Sequence, residues 1–325
     1  KPISRYPRFG GIPGCLRLVK ILALSRNANL YSTRRLAAEA KELGHEFKII
    51  DALRCQLTID AQEPLIHYQG KRLATPDVVL PRIGASITSY GLAVVNQLEV
   101  MGIAIVNRSQ AIARARDKLR ASQLLARHGI DTPRTVFLRD PEQVGLAVEL
   151  VGGCPVITKL TQGTQGVGVM IAESVKSLEA MLETFWAMGQ DIIIQEFIKE
   201  SKGKDIRAFV IGNRVVGAMR RQAQVGEFRS NIHRGAVGRP VNLGPEYEKA
   251  ALMATRIMGL QVAGVDILEG KDGPKVIEVN ASPGFEGLEQ ATNKNVARQF
   301  IEYAVQYAQK WSESTASGTL LLADS

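Results

Sequence analysis

Residues 262–280 read VAGVDILEGKDGPKVIEVN, two runs of β-branched and apolar residues on either side of the sequence KDG at 271–273. Asp-Gly is a favoured tight-turn sequence, so this stretch predicts an antiparallel hairpin. If the turn centres on Asp272, Asp266 lies opposite Glu278 across the two strands. The hairpin therefore predicts two neighbouring carboxylates.

The face of this hairpin that carries Glu278 also carries Asn280, because side chains two residues apart on a strand point the same way, whereas Ile277 points the other way. With Asp266 opposite, three oxygen-donating side chains converge. Mg²⁺ is held by few protein carboxylates together with water and substrate phosphates, which favours a metal site. The alternative is the solvated face of an amphipathic hairpin. The following loop, ASPG at 281–284, favours the site, because such loops often frame one.

Upstream of this hairpin the chain shows two kinds of pattern. From Val19 to about Arg108 it alternates strand and helix, through VKILALS, RRLAAEAKELG and EFKIID, which predicts a parallel α/β layer. One long basic helix is predicted over 109–129. Further strands and helices then lead to a second hairpin around Gly212-Asn213. The predicted fold class is α/β followed by α+β halves that could clamp a ligand between sheets.

Composition sets the outer limits. A chain of 325 residues predicts two or three domains, and 45% hydrophobic with 22% charged residues is typical of a globular protein without a membrane span. Three scattered cysteines, Cys15, Cys55 and Cys154, indicate neither a disulfide framework nor a zinc site and favour a reducing cytoplasm. The net charge of +9 favours an anionic partner, although a plain basic surface explains it equally well.

Lys159 ends an apolar strand and is followed by a turn containing Gly163, Gly166 and Gly168. Glycines let backbone N–H groups approach a phosphate closely, and the lysine supplies positive charge. The alternative is a simple hairpin with a surface lysine.

The segment 205–235 is rich in donors suited to phosphate or carboxylate, namely Arg207, Arg229, Asn231, His233 and Arg234. A solvated basic loop is the alternative. A wider set of arginines exceeds what one nucleotide needs and suggests a polyanionic partner: Arg220, Arg221, Arg229, Arg234 and Arg239.

These features together resemble the RimK branch of the ATP-grasp superfamily over nearly the whole chain, from Lys20 to about Trp311. The strings that carry the resemblance are PRIGASIT, ARARDKLRASQLLARHGI, KLTQGTQGVGV, QEFI, DIRAFVIG, FRSNIHRG, AGVDIL and EVNASPGFEG. The resemblance implies an ATP-grasp fold behind a Rossmann-like pre-ATP-grasp domain. The expected divisions are a disordered lead-in (1–17), the N-terminal domain (18–110), a central lobe (111–200), a C-terminal lobe (201–311) and a disordered tail (312–325), with the ATP-grasp module spanning about 122–305.

The resemblance also implies roles for individual residues. It assigns Lys118 and Lys159 to the ATP phosphates, with Gly163, Gly166 and Gly168 in the lid over them. Glu196, Phe197 and Ile277 are expected around adenine, Asp205 at the ribose, and Arg229, Ser230 and Asn231 elsewhere along the nucleotide. The implied metal ligands are Asp266, Glu278 and Asn280, and the implied catalytic groups are Arg207, Arg220, Asn231 and Arg234.

Members of this family activate a carboxylate with ATP as an acylphosphate, which an amine then opens to an amide. The resemblance thus implies a cytoplasmic ligase that uses ATP and Mg²⁺ or Mn²⁺, with two ions, and adds L-glutamate to an acidic peptide or to the C-terminus of a small-subunit ribosomal protein. It also implies a homo-oligomer, a tetramer in relatives, without membrane or direct nucleic-acid binding. Alternatives are a ligase acting on a carrier protein, a cofactor or a small acid, and a non-enzymatic nucleotide- or RNA-binding module.

Overall fold

The computed structural model describes residues 18–161, 168–224 and 235–317. The predicted lead-in at 1–17 lies outside them. Within the described ranges the chain forms α/β and α+β layers, as the sequence predicts.

The N-terminal part is built around a parallel sheet in the order β2-β1-β6-β7, with a small antiparallel sheet β3-β4-β5 beside it. Its elements are, in chain order, β1 (Lys20–Leu24), α1 (Tyr31–Glu42), β2 (Glu46–Ile50), β3 (Cys55–Thr58), β4 (Leu65–Tyr68), β5 (Lys71–Arg72), β6 (Val78–Pro81), α2 (Thr88–Val100) and β7 (Ala104–Ile105). The parallel layer was predicted. The small sheet was not, because its strands of two to four residues are too short to show a periodic pattern.

The long basic helix predicted over 109–129 is two helices, α3 (Ser109–Arg116) and α4 (Lys118–Arg127). Asp117 between them has an extended backbone, and its side chain accepts a hydrogen bond from the backbone N–H of Arg120. Aspartate is a favoured N-cap residue, so it restarts the helix in a new direction. The prediction of one continuous helix was wrong.

The central lobe contains an antiparallel sheet in the order β10-β9-β11-β8. Its elements are β8 (Thr135–Phe137), α5 (Val144–Leu150), β9 (Val156–Leu160), β10 (Val169–Ala172), α6 (Val175–Ala187) and β11 (Ile192–Glu196). One face of the sheet packs on α5 and α6 through a core that includes Val148, Leu178 and Ile194. The polar residues of the other face are thereby available to a ligand.

The C-terminal lobe contains a five-stranded antiparallel sheet in the order β14-β13-β12-β15-β16. Its elements are β12 (Lys204–Ile211), β13 (Arg214–Gln222), β14 (Val237–Pro240), α7 (Pro245–Ile257), β15 (Val262–Gly270), β16 (Gly273–Asn280), α8 (Glu286–Thr292) and α9 (Val296–Ala316). Both predicted hairpins, β12–β13 and β15–β16, are confirmed.

The pairing of Asp266 with Glu278 is also confirmed, but it arises in an unexpected way. The turn is tighter than predicted, since Gly270 pairs with Gly273. An irregularity after Asp266 leaves Ile277 unpaired and restores the expected register. Bulges of this kind re-aim side chains and are frequent beside active sites.

Helix α9 ties the C-terminal lobe to the N-terminal sheet. Phe300 and Ile301 of α9 share one buried cluster with Ile21 and Leu80 of the parallel sheet. The helix continues to Ala316, so the tail predicted to be disordered from residue 312 is helical over its first residues. In this extension Ser314 Oγ and Thr315 Oγ1 donate to Trp311 O, at 2.8 and 2.7 Å.

Candidate active site

One face of the five-stranded sheet buries a network of four charged side chains. Arg207 donates to both carboxylate oxygens of Asp266, at 2.7 and 2.6 Å, and the two residues are directly paired across β12 and β15. Arg221 donates to both oxygens of Asp205 and lies 3.1 Å from Asp266. Asp266 and Arg221 are each only 2% exposed.

The two arginines of this network hold Asp266 ionised, whereas burial raises the pKa of Asp205 despite its pair with Arg221. Burial by itself raises the pKa of Asp266, but Arg207 and Arg221 outweigh it and bring that pKa below its ordinary value. Burial likewise opposes the charge of Arg221, whose pKa is nevertheless raised by Asp266 and Asp205. Removing one member of such a network leaves a buried charge without a partner and costs about 3–5 kcal/mol.

The three predicted metal ligands meet on this face. Asp266 is paired with Glu278, and Gly264, two residues along the strand, is paired with Asn280. The amide nitrogen of Asn280 donates to Gly264 O at 3.4 Å, so its oxygen is the atom suited to a cation. Two carboxylates and an amide oxygen are a suitable donor set for Mg²⁺, which keeps water and phosphate as its other ligands.

In the described ranges, no three histidine, cysteine, aspartate or glutamate side chains gather as a metal site. The predicted set of two carboxylates and one amide differs from that pattern. The metal assignment therefore stays a prediction supported by the donor chemistry.

Lys159 lies on β9 and faces this group from the central lobe. Its ammonium donates to Gln195 Oε1 at 2.6 Å, and Gln195 in turn donates to Thr135 Oγ1 at 2.9 Å. Burial lowers the pKa of Lys159 to about 8, while Glu278 raises it and Lys118 lowers it further. A strongly desolvated lysine close to a carboxylate and a second lysine is suited to an anionic ligand such as a phosphate.

Lys118 begins α4, and its backbone N–H donates to Thr161 O at 3.3 Å, which ties the helix to the end of β9. Burial lowers the pKa of Lys118, and Glu278 opposes that effect. The structure thus brings Lys118 and Lys159 together with the predicted metal ligands.

Gly168 closes the glycine-rich turn before β10. Its φ of 72° is in the left-handed region, and a Cβ placed there would lie 2.5 Å from Leu160 Cδ1. Any larger residue would be strained and would displace Leu160, so this position needs glycine.

The residues expected around adenine and ribose have structural partners of their own. Glu196 accepts hydrogen bonds from Arg134, and although burial alone raises the pKa of Glu196, those bonds lower it overall. Phe197 follows it and is half-buried, as is Ile277. Asp205 is buried against Arg221, so a contact with ribose stays a prediction.

Arg220 does not join the charged face. Its neighbour Arg221 points toward Asp205 and Asp266, and because successive residues alternate, Arg220 points to the opposite face of the sheet. There it forms a bidentate pair with Glu269, at 3.0 and 2.5 Å, and is 43% exposed. The catalytic role assigned to Arg220 stays a prediction, and Arg221 is the arginine that faces Asp205 and Asp266.

The expected arginine cluster is also divided. Arg220 and Arg221 are both paired with carboxylates, while Arg239 lies exposed on β14. Arg220 and Arg221 therefore add no unpaired positive charge, and the proposed surplus would have to come from the other arginines of the set. Several predicted site residues lie outside the described ranges: Gly163, Gly166, Arg229, Ser230, Asn231, His233 and Arg234.

Sequence reasoning missed two further arginines at the edge of the site. Arg82 Nη2 donates to Pro283 O at 2.7 Å, just beyond β16, and Arg116 Nη2 donates to Ile83 O. Arg82 is in the string PRIGASIT, which carried the family resemblance without being assigned a role. Gln195, within QEFI, was missed for the same reason.

Comparisons with known proteins agree with this architecture. A family model described as the RimK-like ATP-grasp domain matches residues 115–304, and one described as the RimK PreATP-grasp domain matches residues 19–112. Among solved structures, the ATP-grasp ligase PsnB complexed with minimal precursor superposes with a TM-score of 0.72 at 22% identity, covering 89% of this chain and 99% of that one. That likeness concerns the fold.

Curated relatives are much closer in sequence. A probable alpha-L-glutamate ligase from Marinobacter nauticus is 52% identical over 91% of this chain and 99% of its own length. A protein of the same description from Aliivibrio fischeri is 53% identical over 88% of this chain and 95% of its own length. With two carboxylates, two lysines and buried arginines meeting between the lobes, the chain belongs to the RimK-like ATP-grasp family and is an ATP-dependent, ADP-forming carboxylate–amine ligase.

Proposed function

We propose that this ligase adds L-glutamate to the C-terminal carboxylate of a peptide or protein through an acylphosphate. The relatives described as probable alpha-L-glutamate ligases support glutamate as the amino acid. Structures of ATP-grasp ligases with peptides, such as PsnB with the precursor peptide PsnA2, support a peptide acceptor. The observation that carries the proposal is the meeting of Lys118 and Lys159 with Asp266 and Glu278.

In this scheme the acceptor carboxylate attacks the γ-phosphate of ATP, the bond from that phosphate to ADP breaks, and an acylphosphate forms. The amine of glutamate then attacks the acyl carbon and releases phosphate. Lys159 and Lys118 neutralise the transferring phosphate, and Gln195 holds the Lys159 ammonium in place.

Asp266, Glu278 and Asn280 would hold Mg²⁺ or Mn²⁺, which supplies positive charge to the phosphates when it is bound. Arg207 and Arg221 keep Asp266 ionised and oriented for that role. A second ion is part of the proposal, and ATP lies between the central and C-terminal lobes.

The acceptor we propose is the C-terminus of a small-subunit ribosomal protein, with repeated addition of glutamate. We further propose a cytoplasmic homo-oligomer, a tetramer, that has no direct contact with nucleic acid. No helix in the described ranges has the length and apolar character that crossing a membrane requires.

Mass spectrometry tests the proposal directly. An acceptor peptide with a free C-terminal carboxylate should gain glutamyl residues when incubated with ATP, Mg²⁺ and glutamate, and should release one ADP for each residue added. The same peptide carrying a C-terminal amide is the matched control and should stay unmodified, because it lacks the reacting carboxylate. Modification of the amide peptide, or equal use of other amino acids, would overturn the proposal.

A further inference from the structure

The edge of the active site nearest the N-terminal domain carries two guanidinium groups. Arg82 lies in the loop after β6 and Arg116 ends α3. Arg116 Nη2 donates to the carbonyl of Ile83, the residue next to Arg82, so both guanidinium groups lie at the same loop. Their charges are close enough to interact unfavourably.

This loop also reaches the C-terminal lobe. Arg82 donates to Pro283 O at 2.7 Å and to Ser32 Oγ at 3.3 Å, and Ser282 Oγ donates to Pro81 O at 3.3 Å. Pro283 follows Asn280 by three residues. The two arginines thus lie beside the proposed metal ligands. The loop after β6, the end of α3 and the β15–β16 hairpin supply these groups from three different segments of the chain.

Neither guanidinium has a carboxylate partner in the parts of the chain that the structure describes. They donate to two carbonyls and a hydroxyl, and no described carboxylate lies within ion-pair distance. Other arginines on this side of the molecule are paired, for example Arg207 with Asp266 and Arg221 with Asp205. Desolvating a charge without a counter-charge is costly, so such a pair is explained by an anion that is bound during function.

The surroundings indicate which anion is suitable. Burial lowers the pKa of Arg82 to about 10, which leaves it charged at neutral pH. Burial also lowers the pKa of Arg116, and Glu278 opposes the effect, which shows that Arg116 lies near the proposed metal site. The ATP phosphates are accounted for by Lys118 and Lys159. A planar guanidinium suits a carboxylate in two-pronged geometry.

We infer that Arg82 and Arg116 form a subsite for a carboxylate of the substrate that does not react, which positions the substrate beside the phosphates. This inference rests on the proposed ligation of glutamate. Two sources share that chemistry: the incoming glutamate, and the last residue of an acidic acceptor peptide. Arg82 comes from the N-terminal domain and Arg116 from the end of α3, just beyond it, so the junction of that domain with the ATP-grasp module would select anionic substrates.

Kinetics with matched variants tests the subsite. Arg116→Met and Arg82→Gln each remove a charge, and Arg114→Met, two residues earlier on α3 and about 200° around the helix, is the control. A hydrogen bond to a charged group contributes about 1.5–3 kcal/mol, so the KM for glutamate or for the acceptor should rise about tenfold or more in both variants. The KM for ATP should change by about twofold or less, and Arg114→Met should resemble the wild type.

The source of the carboxylate is distinguished by substrate pairs. Glutamine and isoglutamine each lack one carboxylate of glutamate, and acceptors ending in glutamine or glutamate differ in the same way. If the arginines bind the missing carboxylate, replacing the substrate by the analogue that lacks it raises KM less in Arg116→Met than in the wild type. A purely structural role of Arg116 would not produce this difference. A change confined to the glutamate series assigns the subsite to the incoming amino acid, and a change confined to the acceptor series assigns it to the peptide.

A binding measurement separates this inference from the proposed function. Glutarate, an unreactive dicarboxylate, should bind the wild type in calorimetry and bind Arg116→Met and Arg82→Gln about tenfold more weakly or worse. This result needs no turnover, so it stands even if glutamate proves not to be the amino acid used. Equal glutarate affinity in the wild type and in folded variants with unchanged melting temperatures would overturn the inference.

Discussion

The two faces of the five-stranded sheet use the same strands for opposite purposes. On one face, Ala208, Val210 and Val265 pack against α7 in a core without charges. On the other, alternate residues of the same strands bury Arg207 and Asp266 as an ion pair. Apolar burial stabilises a fold without further conditions, whereas buried charges need complete pairing and seldom stabilise more than apolar residues of similar size would.

This difference between the two faces indicates which of them carries the functional groups. A sheet needs one well-packed face to be stable, and α7 covers that face. The charged face is retained at an energetic cost, which indicates that its groups are needed for chemistry. Variants that affect one face and not the other can test this division.

The largest effect is expected on turnover, from a substitution of Glu278 on the charged face. Glu278→Ala should abolish ADP formation, because it removes a proposed metal ligand next to both lysines. Glu278 is half-buried, so the melting temperature should change little. ADP release by a coupled assay, with circular dichroism to check folding, measures both. Unchanged ADP release from the folded variant would contradict the assignment of Glu278 as a metal ligand.

Two adjacent arginines provide a matched test of the buried part of that face. Arg221→Met should lower the free energy of unfolding by about 3–5 kcal/mol, because Asp205 and Asp266 lose a partner while buried. Arg220→Met removes an exposed pair with Glu269 and should cost about 1 kcal/mol or less. Denaturant unfolding of the two variants gives the comparison. Equal losses would mean that the two faces do not differ as described.

A substitution in the apolar face should affect stability alone. Val210→Ala removes two buried methyl groups against α7 and should cost about 2 kcal/mol, with KM for ATP unchanged. Urea unfolding and steady-state kinetics would be measured on the same preparation. A rise in the KM for ATP would show that packing on this face is coupled to the site.

The smallest effect concerns the proton on Lys159. Its pKa of about 8 in the free protein means that raising the pH from about 7 to 9 neutralises most of its charge, so ATP affinity should fall by up to about tenfold. Lys159→Arg stays charged over this range and should lose less affinity between the two pH values. Calorimetric titrations at both pH values measure the change. The same pH dependence in the wild type and in Lys159→Arg would exclude Lys159 as its source.

Particular residues show how far the sequence alone could lead. The β15–β16 hairpin was predictable from its turn and its β-branched runs, and so was the pairing of Asp266 with Glu278. The correct pairing nevertheless depends on a tighter turn offset by unpaired Ile277, and no local pattern reveals that compensation. The family strings identified the ligase class, and the family comparisons confirm it.

Other features depend on contacts distant in sequence. Asp117 divides the basic helix, although the helical spacing continues through it, and the backbone N–H of Lys118 at this break donates to the distant Thr161 O. The choice between Arg220 and Arg221 requires knowing which face meets Asp205 and Asp266. The position of Arg82 depends on its hydrogen bond to Pro283 O in another lobe, so its role could not be inferred from its neighbours in sequence.

The central claim is that the charged face activates a carboxylate with ATP, and an oxygen label tests it most directly. An acceptor peptide labelled with heavy oxygen in its C-terminal carboxylate would be incubated with ATP, Mg²⁺ and glutamate, and the released phosphate analysed by mass spectrometry. Formation and opening of an acylphosphate should transfer one labelled oxygen to phosphate for each ADP formed, and Glu278→Ala should show no transfer. Label retained in the peptide while ADP and ligated product accumulate would contradict the account.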